Sequence, residues 1–192
     1  MQRISLGSLF GVQTTIGRAA LISYLVLWLL AAWLSSWLVR LPLSWALLAG
    51  LLSTLLFFVS EWLHQLGHAS AARSVGYPMV GIHFFNVFSA SQYPAEPPLP
   101  PATHVKRALG GFWINIVIGL LLLPAALSLW PRGGEFMPEP VRLLAWLAGF
   151  GAFTNLIVLG LGALLPLKIP GGGLNDGGTL LHYWRAGRRE PQ

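Results

Sequence analysis

The stretch HQLGH places two histidines, His64 and His68, four residues apart in an apolar run. On a helix, residues at i and i+4 project from one face, so both imidazoles can bind one divalent cation. A catalytic zinc ion takes three protein ligands and keeps one position for water, so the pair predicts two of the three ligands. The alternative is that both rings only pack or hydrogen-bond inside a polar helix bundle.

The composition places these histidines in a membrane. Hydrophobic residues make up 55% of the chain and charged residues 9%, whereas soluble domains have about 25% charged residues. A length of 192 residues suits one domain, so 1–192 is predicted to be a single membrane-embedded unit. The absence of cysteine excludes disulfides and thiolate ligands. The net charge of +6 does not indicate nucleic acid, because the basic residues are scattered between apolar runs.

Four apolar runs are long enough to cross a membrane as helices, which takes about 20 residues. They cover about 19–39, 44–70, 108–130 and 142–166. No small-residue cleavage site follows the first run, which favours a retained helix over a signal peptide. Residues 1–18 and 80–91 contain β-prone pieces, and a proline-rich loop follows over 94–101. The predicted fold is an all-α polytopic membrane protein with about four transmembrane helices and short β-strand segments at the cytoplasmic membrane surface.

The distribution of basic residues predicts the orientation. With four spans and a cytoplasmic N-terminus, most basic residues fall in cytoplasmic segments, as the positive-inside rule requires. These are Arg3, Arg18, Arg73, Lys106, Arg107, Lys168, Arg185, Arg188 and Arg189, against Arg40, Arg132 and Arg142 outside. Both termini are therefore expected in the cytoplasm, in a prokaryotic plasma membrane. The basic tail 182–192 is expected at the surface of the lipid bilayer, where anionic lipid favours it.

The third metal ligand must come from six acidic residues. Glu135 and Glu139 are expected on the far side of the membrane, whereas Asp176, in LNDGG after the fourth run, is expected on the same side as the histidines. Asp176 alone would be interpreted as a turn residue before Gly177. Its side of the membrane makes it the predicted third ligand of a Zn²⁺ ion.

These motifs, in their order along the chain, resemble those of the site-2 proteases, which are zinc-dependent intramembrane metalloproteases. The resemblance rests on HQLGHASAAR, on GGFWIN ending at Asn115, on FTNLIVLGLGALLPLK with Asn155, and on LNDGG, over most of 55–185. It implies that His64, His68 and Asp176 hold zinc, and that the two asparagines line the site and hold substrate backbone or a developing oxyanion. The alternative for the asparagines is hydrogen bonding between helices. It also implies a transmembrane protein substrate, cut near the cytoplasmic face. The chain would be a minimal member without a PDZ domain, and Phe112 stands where the family commonly has proline.

Gln65 is the departure with the largest chemical consequence. The family has glutamate after the first histidine, as the general base, and an amide cannot ionise to take that role. Three explanations remain: an introduced inactivating substitution, a natural pseudoprotease that binds partner helices without cutting them, or a substitute carboxylate.

Glu61 is the candidate substitute, because positions 61, 64, 65 and 68 share one helical face. Its carboxylate is expected to serve as the base, to hydrogen-bond an imidazole of the site, or only to pair with a nearby arginine or hydroxyl. A metal or proton transporter is disfavoured, because such a protein needs polar residues along several spans and the first run has few.

Overall fold

The computed structural model describes residues 3–131, 137–169 and 173–187. Within these ranges, four helical segments are long and apolar enough to cross a membrane, which confirms the predicted number of spans. They are α1 (Arg18–Leu38), α2 (Leu43–Ser74), α3 (Pro101–Leu129) and a fourth, Glu139–Leu164, that begins with α4 (Glu139–Phe153). Four residues that bear on the predicted orientation and ligand set lie outside the described ranges: Arg132, Glu135, Arg188 and Arg189.

Proline fixes where three of these helices begin. Pro42 precedes α2, Pro101 is the first residue of α3, and Pro138 precedes α4. Proline suits these positions because its fixed φ matches a helix start and the first helical N–H groups have no intrahelical acceptor. The fourth span is not a uniform α-helix, because α4 passes into a π-helical turn over Thr154–Val158. Such turns shift the side chains that follow and occur frequently at functional sites.

A four-stranded sheet confirms the expected β segments. Its strands are β1 (Arg3–Leu9), β2 (Val12–Gly17), β3 (Gly81–Phe84) and β4 (Ser89–Gln92), in the spatial order β1-β2-β3-β4. β1 and β2 form an antiparallel hairpin, as do β3 and β4, while β2 and β3 are parallel. The parallel pair follows from topology, since the α1–α2 helical hairpin intervenes and returns the chain to the same end of the bundle.

The sheet packs on the end of α2 that carries the histidines. Apolar side chains on one face of the sheet, including Ile16, Ile82 and Phe84, form a buried cluster with Ala69 and Ala72 of α2. The sheet, the beginning of α1, the end of α2 and the beginning of α3 therefore lie at one end of the helix bundle.

A short amphipathic helix, α5 (Asp176–Gly187), follows the fourth span. The two-stranded ribbon of β5 (Lys168–Ile169) and β6 (Gly173–Leu174) connects them. Asn175 fixes the start of α5, because its side-chain oxygen accepts a hydrogen bond from the N–H of Gly178 and its amide donates to the carbonyl of Leu165. A Cβ atom at Gly177 would collide with the backbone of Leu164, so glycine is required where α5 meets the fourth span.

Candidate metal centre

Three predicted ligands converge at one point. The Nε2 atoms of His64 and His68 lie 3.0 Å apart, and Oδ2 of Asp176 lies 3.2 Å from the first and 3.3 Å from the second. Both histidines are buried in α2, and Asp176 approaches from the first turn of α5. The spacing of the histidines and the side of the membrane expected for Asp176 therefore led to residues that are in contact.

A chain of hydrogen bonds sets which nitrogen of His64 carries the proton. The amide of Asn155 donates to the backbone carbonyl of Gly151 at 2.9 Å, so its oxygen must face Asn115. Asn115 donates to that oxygen at 2.8 Å and turns its own oxygen to Nδ1 of His64 at 2.6 Å. Because this oxygen can only accept, Nδ1 of His64 is protonated and Nε2 presents a lone pair.

His68 reaches the same state through the backbone. Its Nδ1 donates to the carbonyl of Arg107 at 2.7 Å, and a carbonyl can only accept. Nε2 of His68 is therefore also free to bind a metal. Metal-bound histidines in proteins almost always donate their second N–H in this way, which fixes the orientation of the ring.

The donor set fits a zinc ion. An ionised carboxylate at Asp176 offers only acceptor oxygens. Two imidazole lone pairs and one carboxylate oxygen therefore face each other within 4.8 Å. Such an arrangement of acceptors is repulsive unless a cation lies between them. Two nitrogens and one oxygen form a ligand set that catalytic zinc uses, with a fourth position left open.

Glycines leave the space that this site occupies. A Cβ atom at Gly111 would lie 2.5 Å from Nε2 of His64, inside the imidazole's own volume. A Cβ atom at Gly67 or Gly110 would collide with the backbone of the other, so α2 and α3 cross in direct contact there. The Gly110–Gly111 pair therefore lets α3 approach the backbone of α2 and the ring of His64 closely.

Gln65 and Glu61 are both buried and both hydrogen-bonded to β4. Oε1 of Gln65 accepts from the hydroxyl of Ser91 at 2.7 Å. Oε1 of Glu61 accepts from the N–H and the hydroxyl of Ser89, at 2.9 and 2.7 Å. Of the alternatives for Glu61, the structure shows pairing with a hydroxyl, that of Ser89, while Nδ1 of His64 bonds to Asn115 and not to Glu61. The two positions on one helical face are thus linked to the sheet.

Asn115 and Asn155 are fully buried beside the histidines. Their amides bond to each other, to His64 and to the fourth span, with Asn155 also donating to the hydroxyl of Ser60 at 3.0 Å. These contacts are the hydrogen bonds between helices that were the alternative for the two asparagines, and they orient the ring of His64. Contact with substrate or an oxyanion, which the resemblance implies, stays a prediction.

Sequence reasoning missed the side-chain role of Arg107. Its guanidinium binds both oxygens of Glu96, at 2.5 and 2.9 Å, donates to the carbonyl of Tyr77 at 2.6 Å and stacks on the ring of Tyr93 at 4.1 Å. The hydrogen bond from Arg107 holds the pKa of Glu96 below its ordinary range. The proline-rich segment is thereby attached to the helical turn whose carbonyl orients His68. No residue spacing signalled this contact.

Asn175 was also missed, although a signal existed. An asparagine three residues before the N–H that it binds is a typical N-cap, and LNDGG contains that pattern. Because Asn175 immediately precedes Asp176, its hydrogen bonds place the carboxylate ligand.

Comparison with known proteins supports the fold. No protein-family model matches the chain. No curated protein matches it either. A solved structure, a site-2 protease from Methanocaldococcus jannaschii, superposes over 98% of this chain and 74% of its own, with a TM-score of 0.56 and 18% sequence identity. The chain therefore has the fold of a site-2 protease, with a His-His-Asp group at one end of its four apolar helices.

Proposed function

We propose that this protein is an intramembrane zinc metallopeptidase of site-2 protease type, which cleaves membrane-protein substrates near the cytoplasmic face and whose activity is reduced by Gln65. The observation that carries the proposal is the convergence of His64, His68 and Asp176, with both imidazoles held in the metal-binding tautomer. The neighbouring protein is a site-2 protease by name, and its fold covers nearly the whole chain.

The residues of the chain have separable roles in this proposal. His64, His68 and Asp176 would hold the zinc ion, which when bound supplies a Lewis acid that activates water and polarises a carbonyl. Asn115 and the carbonyl of Arg107 fix the two rings. Gln65 stands where the family has its general base, and its amide can neither take nor return a proton. We expect hydrolysis to be slower by roughly 10²–10⁴-fold than with a carboxylate there.

A second candidate function is a pseudoprotease that binds partner transmembrane helices without cutting them. Gln65 is the observation that favours it, because Gln65 removes the base and leaves the ligand set intact. Glu61 could supply the general base that Gln65 cannot, since its buried carboxylate lies one helical turn from His64. If Glu61 serves as the base, Glu61→Gln abolishes whatever cleavage the unmodified chain shows.

Zinc content is the first test. The detergent-purified chain is expected to hold about one zinc ion per chain by elemental analysis, and His68→Ala to hold none. Cleavage of a single-pass membrane substrate then separates the two candidates. Absence of zinc from both proteins would refute the metallopeptidase and leave the helix-binding function.

A further inference from the structure

A second site lies on the far side of α5 from the candidate metal centre. Here α5 and the β5–β6 ribbon line a cavity of about 650 Å³ that is open to the outside. Both basic and apolar side chains line it. The basic ones are Lys168, His182 and Arg185, and the apolar ones include Leu167, Leu174 and Leu181.

One face of α5 forms a wall of this cavity. Gly178, Leu181, His182 and Arg185 follow the i, i+3, i+4, i+7 spacing and line it together. Tyr183 is directed elsewhere and stacks in parallel on His104 of α3, with the ring centroids 4.0 Å apart. The stack holds α5 against α3, and the face of α5 that lines the cavity is thereby held in place.

The charge of the cavity is positive and is not neutralised within the described ranges. The carboxylates of Glu96, Glu139 and Asp176 pair with Arg107, Arg142 and the two histidines. Neither Lys168 nor Arg185 is among the salt-bridged residues of the described ranges, and both side chains are exposed. The cavity therefore suits a ligand with an anionic group and an adjoining apolar part.

The cavity also lies where the fourth span ends. The span stops at Leu164, and Leu165 and Leu167 are more than half exposed directly after it. Trp184, on α5, is similarly exposed. Exposed leucine and tryptophan beside basic residues are typical of the zone between hydrocarbon and lipid headgroups. A ligand at this depth is more readily a membrane lipid than a soluble anion.

We propose that this cavity binds the headgroup of one anionic phospholipid. Lys168 and Arg185 bind its phosphate, and the glycerol and first acyl carbons lie along Leu167 and Leu174. This proposal does not depend on zinc binding or on proteolysis.

Native mass spectrometry of the full chain, released from detergent and titrated with phosphatidylglycerol or phosphatidylcholine, tests the proposal. The unmodified chain is expected to bind phosphatidylglycerol more tightly than phosphatidylcholine. Lys168→Gln with Arg185→Gln should weaken phosphatidylglycerol binding about 30-fold and weaken phosphatidylcholine binding much less, because the choline cation offsets the charge of its phosphate. The matched control is Arg3→Gln with Lys106→Gln, which has the same net charge, lies on the same predicted side and should keep the original affinity.

Three outcomes would overturn the proposal. One is equal binding of the two lipids by the unmodified chain. Another is an equal loss in both double variants, which would indicate a general charge effect. The third is displacement of phosphatidylglycerol by an equal concentration of inorganic phosphate or of an acidic peptide, which would indicate a free anion or a substrate tail as the occupant. Equal thermal unfolding of the two double variants checks that the fold is retained.

Discussion

At the scale of single residues, the amide of Asn155 determines which nitrogen of His64 faces the metal position. It does so without touching the ring, because Asn155 bonds to Asn115 and Asn115 bonds to Nδ1 of His64. The order starts at a backbone carbonyl, that of Gly151, whose acceptor role cannot be reversed. The two amides therefore fix the order of donors and acceptors from the carbonyl of Gly151, on the fourth span, to the ring of His64 on α2.

Removing the middle member of this series should weaken metal binding. Asn115→Ala is expected to lower zinc affinity about 10–100-fold, because the ring of His64 loses the acceptor that fixes its tautomer. Chelator competition measures the change. Ser60→Ala is the control: the Ser60 hydroxyl accepts from Asn155, but the carbonyl of Gly151 still sets the order. Zinc affinity in Asn115→Ala equal to that of the unmodified chain would remove the proposed role of Asn115.

Restoring a carboxylate at position 65 should raise hydrolysis. Gln65→Glu is expected to increase cleavage of a single-pass substrate by roughly 10²–10⁴-fold. The site accommodates the change, because the hydroxyl of Ser91 can donate to a carboxylate as it does to the amide oxygen. The double variant Gln65→Glu with His68→Ala should remain inactive. A Gln65→Glu protein that retains zinc and cuts nothing would favour the pseudoprotease.

At the scale of elements, the crossing of α2 and α3 controls the geometry of the site. Gly67 and Gly110 let the two backbones touch, as small residues do between membrane helices. The crossing also sets the distance over which His68 reaches the carbonyl of Arg107. The affinity of the proposed centre for a metal would thus depend on an interhelical separation that the three candidate ligands do not set.

Widening that crossing should loosen the site without touching a ligand. Gly110→Ala is expected to destabilise the protein by about 1–3 kcal/mol, because the added methyl group has no free volume to enter. Zinc affinity should fall with it. Gly173→Ala, where a Cβ atom meets open space, is the control and should change neither quantity. Thermal unfolding and chelator competition provide the measurements, and an unaffected Gly110→Ala protein would contradict the close crossing.

Hydropathy located the four spans but not all of their ends. α3 begins at Pro101, whereas the apolar run was placed from 108, and α2 continues to Ser74 beyond the predicted 70. The additional turns pack beside the sheet and α5, where polar residues are tolerated, so an apolar pattern could not reveal them. The π-helical turn that carries Asn155 was equally hidden, because it depends on packing.

The three candidate ligands could be predicted from the sequence, whereas the groups that hydrogen-bond to them could not. His64 and His68 follow from helical spacing, and Asp176 from counting membrane crossings. The support of His68 is a backbone carbonyl, and every residue has one, so the sequence of Arg107 gives no sign of that role. The Asn155–Asn115 contact joins two residues 40 positions apart in the chain, and it follows only from the packed bundle.

At the scale of the whole molecule, the candidate metal centre joins the second span to the last helix. A bound metal ion would therefore stabilise the arrangement as a whole. At free zinc about 100 times the dissociation constant, mass action gives about 2.7 kcal/mol. Removing the metal should lower the unfolding temperature by roughly 5–10 °C.

Differential scanning of the protein with and without a chelator tests this expectation. Hydrogen exchange should rise in α5 and at the end of α2, and should change little in α1, which supplies no ligand. His68→Ala should show no response to the chelator. An equal response in His68→Ala would mean that the chelator acts on some other part of the protein.

The position of Asp176 in the chain also sets a time order during synthesis. It follows His64 by 112 residues, a distance that a ribosome covers in roughly 6–22 s. Once His68 has also been synthesised, the nascent chain has both histidines and lacks Asp176 until the end of that interval. Hydrolysis by the proposed centre, which needs all three ligands, would consequently be absent until Asp176 has been synthesised, and the growing chain and its neighbours in the membrane would be spared.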